Sequence, residues 1–148
     1  MNSREFLGFG SAVDFASASK NAEESPGVYI LRIKDGIDFN RISGETDILY
    51  IGSTENLKRR FYSYNHPGKS QFTNQKVENF VINFKHPAEF LWRIESDKNA
   101  AKVKEYELLA RYMKEHHEFP PLNGASIRKL EITLRDENIN LRDHLSTD

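Results

Sequence analysis

Along this chain, short runs dominated by β-branched and aromatic residues alternate with segments whose apolar residues recur every three or four positions. The run Gly27 to Ile33 (GVYILRI) contains no breaker and predicts a strand. Asp47 to Ser53 (DILYIGS) predicts a second strand, after a polar connection from Lys34 to Thr46 that holds Gly36 and Gly44. Two strands this close in sequence pair most simply as an antiparallel hairpin with a long loop. Thr54 to Tyr64 then predicts a helix, with Ser53 or Thr54 as its N-cap and Asn65, Pro67 and Gly68 ending it. Residues 69–88 are mixed and give no clear element. Glu89 to Glu95 (EFLWRIE) predicts a third strand, and Asp97 to about His116 is the longest helical pattern. Phe119 to Gly124 (FPPLNG) cannot continue that helix, because two prolines and an Asn-Gly turn intervene.

This order of elements predicts one α/β domain over residues 26–124, a size that supports its own core. Residues 1–25 are small and polar and read as an N-terminal extension in which Phe6, Phe9, Val13 and Phe15 dock on the body. Residues 125–148 read as a C-terminal tail packing on the domain, with a short strand at Lys129 to Leu134.

Composition narrows the chemistry. The chain has no cysteine, which excludes a disulfide framework, a thiol nucleophile and a Cys-ligated zinc site. No apolar run reaches the roughly 18–20 residues of a membrane span, and the N-terminus lacks the apolar core of a secretory signal, so a cytoplasmic location is expected. The net charge of -1 gives no global positive field. Between Leu57 and Lys85, however, six basic residues face one acid, Glu78. That surplus reads as a solvated face or as a patch for a phosphate backbone.

Helical wheels single out two charged residues. On the first helix Arg60 shares a side with Leu57, Phe61 and Tyr64, while Lys58 and Arg59 point elsewhere. A guanidinium there either lays its stem on the core with its head in water, or clamps a phosphate with its planar fork. On the long helix Glu105 sits amid the arc of Ala101, Leu108, Leu109, Tyr112 and Met113. A carboxylate there requires a cation, a metal or hydrogen-bond donors, so it reads as a buried ion pair with Arg60 or as a metal-binding or catalytic group. Gly68-Lys69-Ser70 lacks the earlier glycine and leading strand of a phosphate-binding loop. His116 and His117 are adjacent and point about 100° apart on a helix, which does not make a zinc pair.

Several of these residues together form a known pattern. Gly27-Val28-Tyr29, then Tyr50-Ile51-Gly52, then Arg60 ten residues after Tyr50, resemble the GIY-YIG nuclease family. The stretch YIGSTENLKRRFYSY is similar to the N-terminal nuclease domain of the bacterial excision-repair subunit UvrC. Tyr64, four residues after Arg60, recurs in the pattern, as does a helix glutamate three residues before a bulky pair, here Glu105 before Leu108-Leu109. Pro120 and Asn123 match the family's closing Pro-x-x-Asn element. Val28 at the centre of the first tripeptide, the long gap between the two tyrosines, the extended stretch from Tyr112 to Pro120 and Ser53 after Gly52 depart from it.

The resemblance implies a small three-stranded antiparallel sheet flanked by helices, and a single Mg²⁺ or Mn²⁺ ion held by Glu105. It implies that Arg60 holds the scissile phosphate, that Tyr29 is the general base with Tyr50 as the alternative, that Tyr50 otherwise positions water or phosphate, and that Tyr64 lines the site. Gly27, Gly52 and Asn123 would support the site; the basic surplus between Leu57 and Lys85, not the resemblance, names Lys58, Arg59, Lys69 and Lys76 as expected nucleic-acid contacts. The expected function is a metal-dependent endonuclease hydrolysing DNA phosphodiester bonds, by nicking or structure-directed cleavage. The alternatives are a weak or inactive DNA-binding module acting with a partner, and an RNA-directed nuclease. The expected substrate is double-stranded or branched DNA. The segment after Asn123 is too short for a separate DNA-binding domain, so a protein partner or a homodimer is expected to supply targeting.

Overall fold

In a computed structural model that describes residues 1–6, 8–69, 71–83 and 87–123 (backbone alone at 72 and 73), the elements in chain order are β1 (Val13–Asp14), α1 (Ala18–Asn21), β2 (Gly27–Ile33), β3 (Phe39–Asn40), β4 (Glu45–Thr46), β5 (Ile48–Thr54), α2 (Leu57–Asn65), α3 (Phe72–Asn83), β6 (Ala88–Ile94) and α4 (Lys98–His116). The strand expected at Lys129 to Leu134, and the packing of residues 125–148, lie outside the described residues.

The central strand is β2. It pairs antiparallel with β5 on one side, Tyr29 opposite Gly52, and with β6 on the other, Tyr29 opposite Trp92. These are the three strands read from the pattern. A fourth, β1, adds two residues at the outer edge of β6, Val13 opposite Phe90. β3 and β4 form a separate short ribbon within the connection from Lys34 to Thr46.

Side chains alternate across β2 because successive residues of a strand face opposite ways. Val28 and Ile30 pack with Leu108, Leu109 and Tyr112 of α4. Tyr29, Leu31 and Ile33 pack with Leu57, Phe61 and Tyr64 of α2. The sheet is therefore covered by helices on both faces. A bulge opposite Leu31 and Arg32 breaks the alternation of β5, and both Leu49 and Tyr50 join the α2 side while Ile48 and Ile51 serve the α4 side.

The helices depart from expectation at two places. α2 starts at Leu57, not Thr54, because Ser53 and Thr54 are still paired to β2. The cap is Asn56, whose side chain accepts from the Arg59 N–H at 2.9 Å. α3 occupies part of the mixed segment 69–88. Among its described side chains Asn74 and Val77 are buried, and the partly buried Phe80 and Val81 pack against the same core. α4 is capped by Asp97, which accepts from the Ala100 N–H at 2.7 Å. It ends at His117 in the left-handed conformation (φ 61°).

The N-terminal segment is woven into the body. Phe15 is 6% exposed and stacks on Phe90 at 5.3 Å between ring centroids. Phe6 and Phe9 pack against the α4 side. The Leu57 and Lys58 N–H groups at the start of α2 donate to the carbonyls of Ser25 and Glu23. Among the described residues no helix is long and apolar enough to cross a membrane.

Candidate active site

Tyr29 is on β2, Tyr50 on β5, Arg60 and Tyr64 on α2, and Glu105 on α4. The three phenol rings form one cluster, with centroids of Tyr29 to Tyr50 at 6.1 Å, Tyr29 to Tyr64 at 6.0 Å and Tyr50 to Tyr64 at 6.2 Å. The Tyr29 and Tyr64 hydroxyls are hydrogen-bonded at 2.7 Å. Tyr29 and Tyr64 are fully buried, whereas Tyr50 keeps a partly exposed edge.

The glycines of the two tripeptides make room for this cluster. A Cβ at Gly52 would stand 2.6 Å from the Tyr29 hydroxyl oxygen and 2.8 Å from Cε1 of Tyr50. A Cβ at Gly27 would meet Cδ1 of Leu57 at 2.5 Å and the Arg93 carbonyl oxygen at 2.8 Å. Both positions are closed by close packing, the second against backbone, which cannot yield cheaply.

Glu105 is held by Ser53, whose hydroxyl donates to Oε2 at 2.7 Å. Burial pushes the Glu105 carboxyl above the usual carboxylate range, opposed by the Ser53 hydrogen bond and by the charges of Arg60 and Lys102. Among the described residues the Glu105 carboxylate is hydrogen-bonded to Ser53, and Arg60, considered above as its ion-pair partner, acts on it through space. Arg60 itself is held above its ordinary value, chiefly by the Tyr29 oxygen and against its own burial. Burial raises Tyr29 and Tyr64 well above the ordinary phenol value and raises Tyr50 as well. Arg60 opposes that rise at all three, and the hydrogen bond from Tyr64 opposes it at Tyr29.

Beside these residues lies a cleft of about 380 Å³. It is lined by Ser53, Thr54 and Glu55, by Arg59, Arg60 and Ser63 of α2, by Gln71 and Asn74, and by Lys98 and Lys102 of α4. Lys98, Lys102 and Glu105 are four and three residues apart, a spacing that places them along one side of α4. That spacing was visible in the sequence and could have identified the two lysines. Ser53, Gln71 and Asn74 carried no such signal.

The nucleic-acid residues named from charge divide. Arg59 lines the cleft, with its guanidinium 2.8 Å from Glu55. Lys58 departs from expectation: its ammonium is drawn to the Ser19 carbonyl at 2.7 Å and ties α2 to the N-terminal segment. Lys69 and Lys76 are exposed and are not part of the cleft wall. Asn123 is bonded to strand backbone. Its side chain accepts from the Ile51 N–H at 3.0 Å and donates to the Ile51 carbonyl at 2.8 Å, filling the open edge of β5.

The donor set suits a hard divalent cation. The described residues contain no group of three or more His, Cys, Asp or Glu side chains that could enclose a metal. They do contain Glu105, a partly exposed carboxylate oriented by the Ser53 hydroxyl and raised in pKa by burial. A lone carboxylate beside an open polar cleft matches Mg²⁺, which keeps several waters and takes one or two protein oxygens.

The sequence matches the family model of the GIY-YIG catalytic domain over residues 25–118. No curated protein matches it. Among solved structures it is similar to the GIY-YIG N-terminal endonuclease domain of UvrC from Thermotoga maritima. For the magnesium-bound form the identity is 24%, over 74% of this chain and 94% of that one, with a TM-score of 0.48. For a point-mutant form bound to its catalytic divalent cation the identity is 22%, over 75% and 96%, also at 0.48.

Proposed function

Since the chain belongs to the GIY-YIG catalytic-domain family, whose chemistry is phosphodiester hydrolysis, we propose that it cuts DNA with the help of one divalent cation, by nicking or structure-directed cleavage. The observation that supports this reading is the meeting of Glu105, Arg60 and the three phenols, drawn from β2, β5, α2 and α4, at the margin of one polar cleft.

Hydrolysis of a phosphodiester requires an oriented water and neutralisation of charge on the phosphoryl oxygens. In this reading Arg60 grips the scissile phosphate and opposes the charge that grows on it. Its fork suits two phosphate oxygens where a lysine would offer one point charge. Glu105, aligned by Ser53, holds the cation, Mg²⁺ or Mn²⁺. A bound ion supplies Lewis-acid polarisation of a phosphoryl oxygen and a more acidic water. Tyr29 orients the attacking water and accepts its proton. Arg60 and the Tyr64 hydroxyl both favour the phenolate, against the burial that disfavours it. Tyr50, the least buried phenol, steers the water or the phosphate from the open side.

The test is incubation of the native chain with supercoiled plasmid, branched DNA and structured RNA, with Mg²⁺, with Mn²⁺ and with chelator. Cutting of DNA that requires the ion and falls at least about a hundredfold in both Glu105→Ala and Arg60→Ala is the expected result. Cutting that persists in both variants overturns the assignment of the site. Salt-dependent binding without cutting favours a DNA-holding module, and preferential cutting of RNA replaces the substrate.

A further inference from the structure

The cleft carries more positive charge than one scissile phosphate needs. Elsewhere several surface cations answer acids: Lys34 is 3.0 Å from Asp14, Lys104 is 3.7 Å from Glu107, and Arg111 contacts both Glu5 and Glu115. In the cleft the balance differs. Its described lining holds Arg59, Arg60, Lys98 and Lys102 against one acid, Glu55, which Arg59 engages at 2.8 Å. Asp97, next to Lys98, turns its carboxylate onto the Ala100 N–H at 2.7 Å. The mechanism above adds Glu105, bonded to Ser53, and a divalent ion whose charge outweighs it. Arg60 and that ion serve the phosphate that is cut. Lys98 and Lys102 have no part in that chemistry.

Both lysines belong to the first half of α4, on the side that carries Glu105. A helix rises about 1.5 Å per residue, so Lys102 and Lys98 stand about 4.5 and 10.5 Å along the axis from Glu105. Lys98 is exposed, Lys102 is half-buried, and the charge of Lys102 reaches the Glu105 carboxylate. The two therefore form a row that leads away from the reacting centre. One strand of duplex DNA presents a phosphate about every 3.4 Å of axis, so the row spans more than one of them. An ammonium is a compact point charge with three rotatable donors, suited to a phosphate oxygen and blind to the base attached to it. We infer that Lys102 and Lys98 hold phosphates flanking the scissile one on the same strand, so that the substrate strand leaves Arg60 along the first half of α4. That the phosphates flank a cut rests on the nuclease reading above; the surplus of cations in the cleft does not.

The experiment titrates a fluorescent DNA duplex with the native chain, Lys98→Gln, Lys102→Gln and Lys114→Gln, in chelator, over a range of salt. Lys114 lies at the other end of α4, outside the cleft lining, and controls for net charge. The slope of log affinity against log salt is expected to fall by about 0.9 in Lys98→Gln and in Lys102→Gln, one phosphate each, and to hold in Lys114→Gln. Lys102→Arg keeps the charge and the native slope. With Mg²⁺ added, the two cleft variants raise KM for cutting and leave kcat within about twofold, the signature of binding shared by ground and transition states. A methylphosphonate, which removes the charge of one phosphate, is then placed in turn at each position near the mapped cut. On one side of the cut it weakens binding by the native chain and adds nothing further in the matching lysine variant. A slope unchanged in either cleft variant, an equal fall in Lys114→Gln, or methylphosphonate effects that add in full to those of the lysine variants overturn the inference. Should Lys102→Gln fail to give a cooperative melting curve, the exposed Lys98 decides alone. If the native chain cuts nothing, the nuclease reading falls and the slopes in chelator still decide. A loss confined to the cleft lysines then upholds them as phosphate contacts; slopes that do not move sink them.

Discussion

At Glu105 burial sets the ionisation of a carboxylate against folding. Burial lifts its pKa above that of the unfolded chain, so folding favours the protonated form. The stabilisation this contributes is complete below the unfolded value, about 4.3, and is lost as pH rises through the folded one. At pH 8 the ionised carboxylate therefore opposes folding. Glu105→Gln, which keeps an acceptor for Ser53, is expected to melt a few degrees higher than the native chain at pH 8 in chelator, with the difference shrinking toward pH 4. Added Mg²⁺ should raise the melting temperature of the native chain and leave the variant unmoved. A variant that melts lower at pH 8 would show that Glu105 is a stabilising residue in its own right. By the same linkage, cation binding should fade on acidification at a pH above the ordinary carboxylate range.

At the scale of the elements, the sheet edge is the revealing place. β5 has β2 on one side only, and an open strand edge is a liability. The chain closes this one with a side chain: both amide atoms of Asn123 pair with the backbone of Ile51, and the Leu122 N–H donates to the Leu49 carbonyl. Tyr50 lies between those two anchored residues, so the edge clamp also fixes a phenol of the site. Asn123→Ala should cost about 1–3 kcal/mol in urea unfolding and speed exchange of the Ile51 amide. Exchange at the native rate would refute the clamp. That a Pro-x-x-Asn element closes the domain was readable from the chain; that its asparagine acts on strand backbone was not, because the partner is 72 residues away.

For the molecule as a whole, the N-terminal segment does more than cover the surface. Phe15 fills the core between Phe90 and Tyr64, at 5.3 and 6.4 Å between ring centroids, and Tyr64 bonds Tyr29. Lys58 and the first turn of α2 are tied to residues 19–25. Phe15→Ala is expected to lower unfolding stability by about 3 kcal/mol and to reduce cutting through loosening of Tyr64, measured by urea titration beside the plasmid assay. Stability within about 0.5 kcal/mol of native would show that the segment is dispensable to the core.

The sequence by itself determined the three long strands, the two helices that carry Arg60 and Glu105, and the identity of the tyrosines, because these depend on local period and on order along the chain. Val28 and Ile30 against Tyr29 and Leu31 announce a strand buried on both faces wherever the helices lie. Tertiary structure decided the rest. β1 is two residues long and exists only because β6 offers an edge to pair with. α3 is fixed by the packing of Val77, Phe80 and Val81 against the α2 side of the sheet, a partner that local sequence does not show. The rescue of Glu105 by Ser53 and the diversion of Lys58 to Ser19 are hydrogen bonds between side chains and whatever the fold sets beside them. A hydrogen bond is fixed by distance and direction in space, and those exist only once the chain has closed on itself.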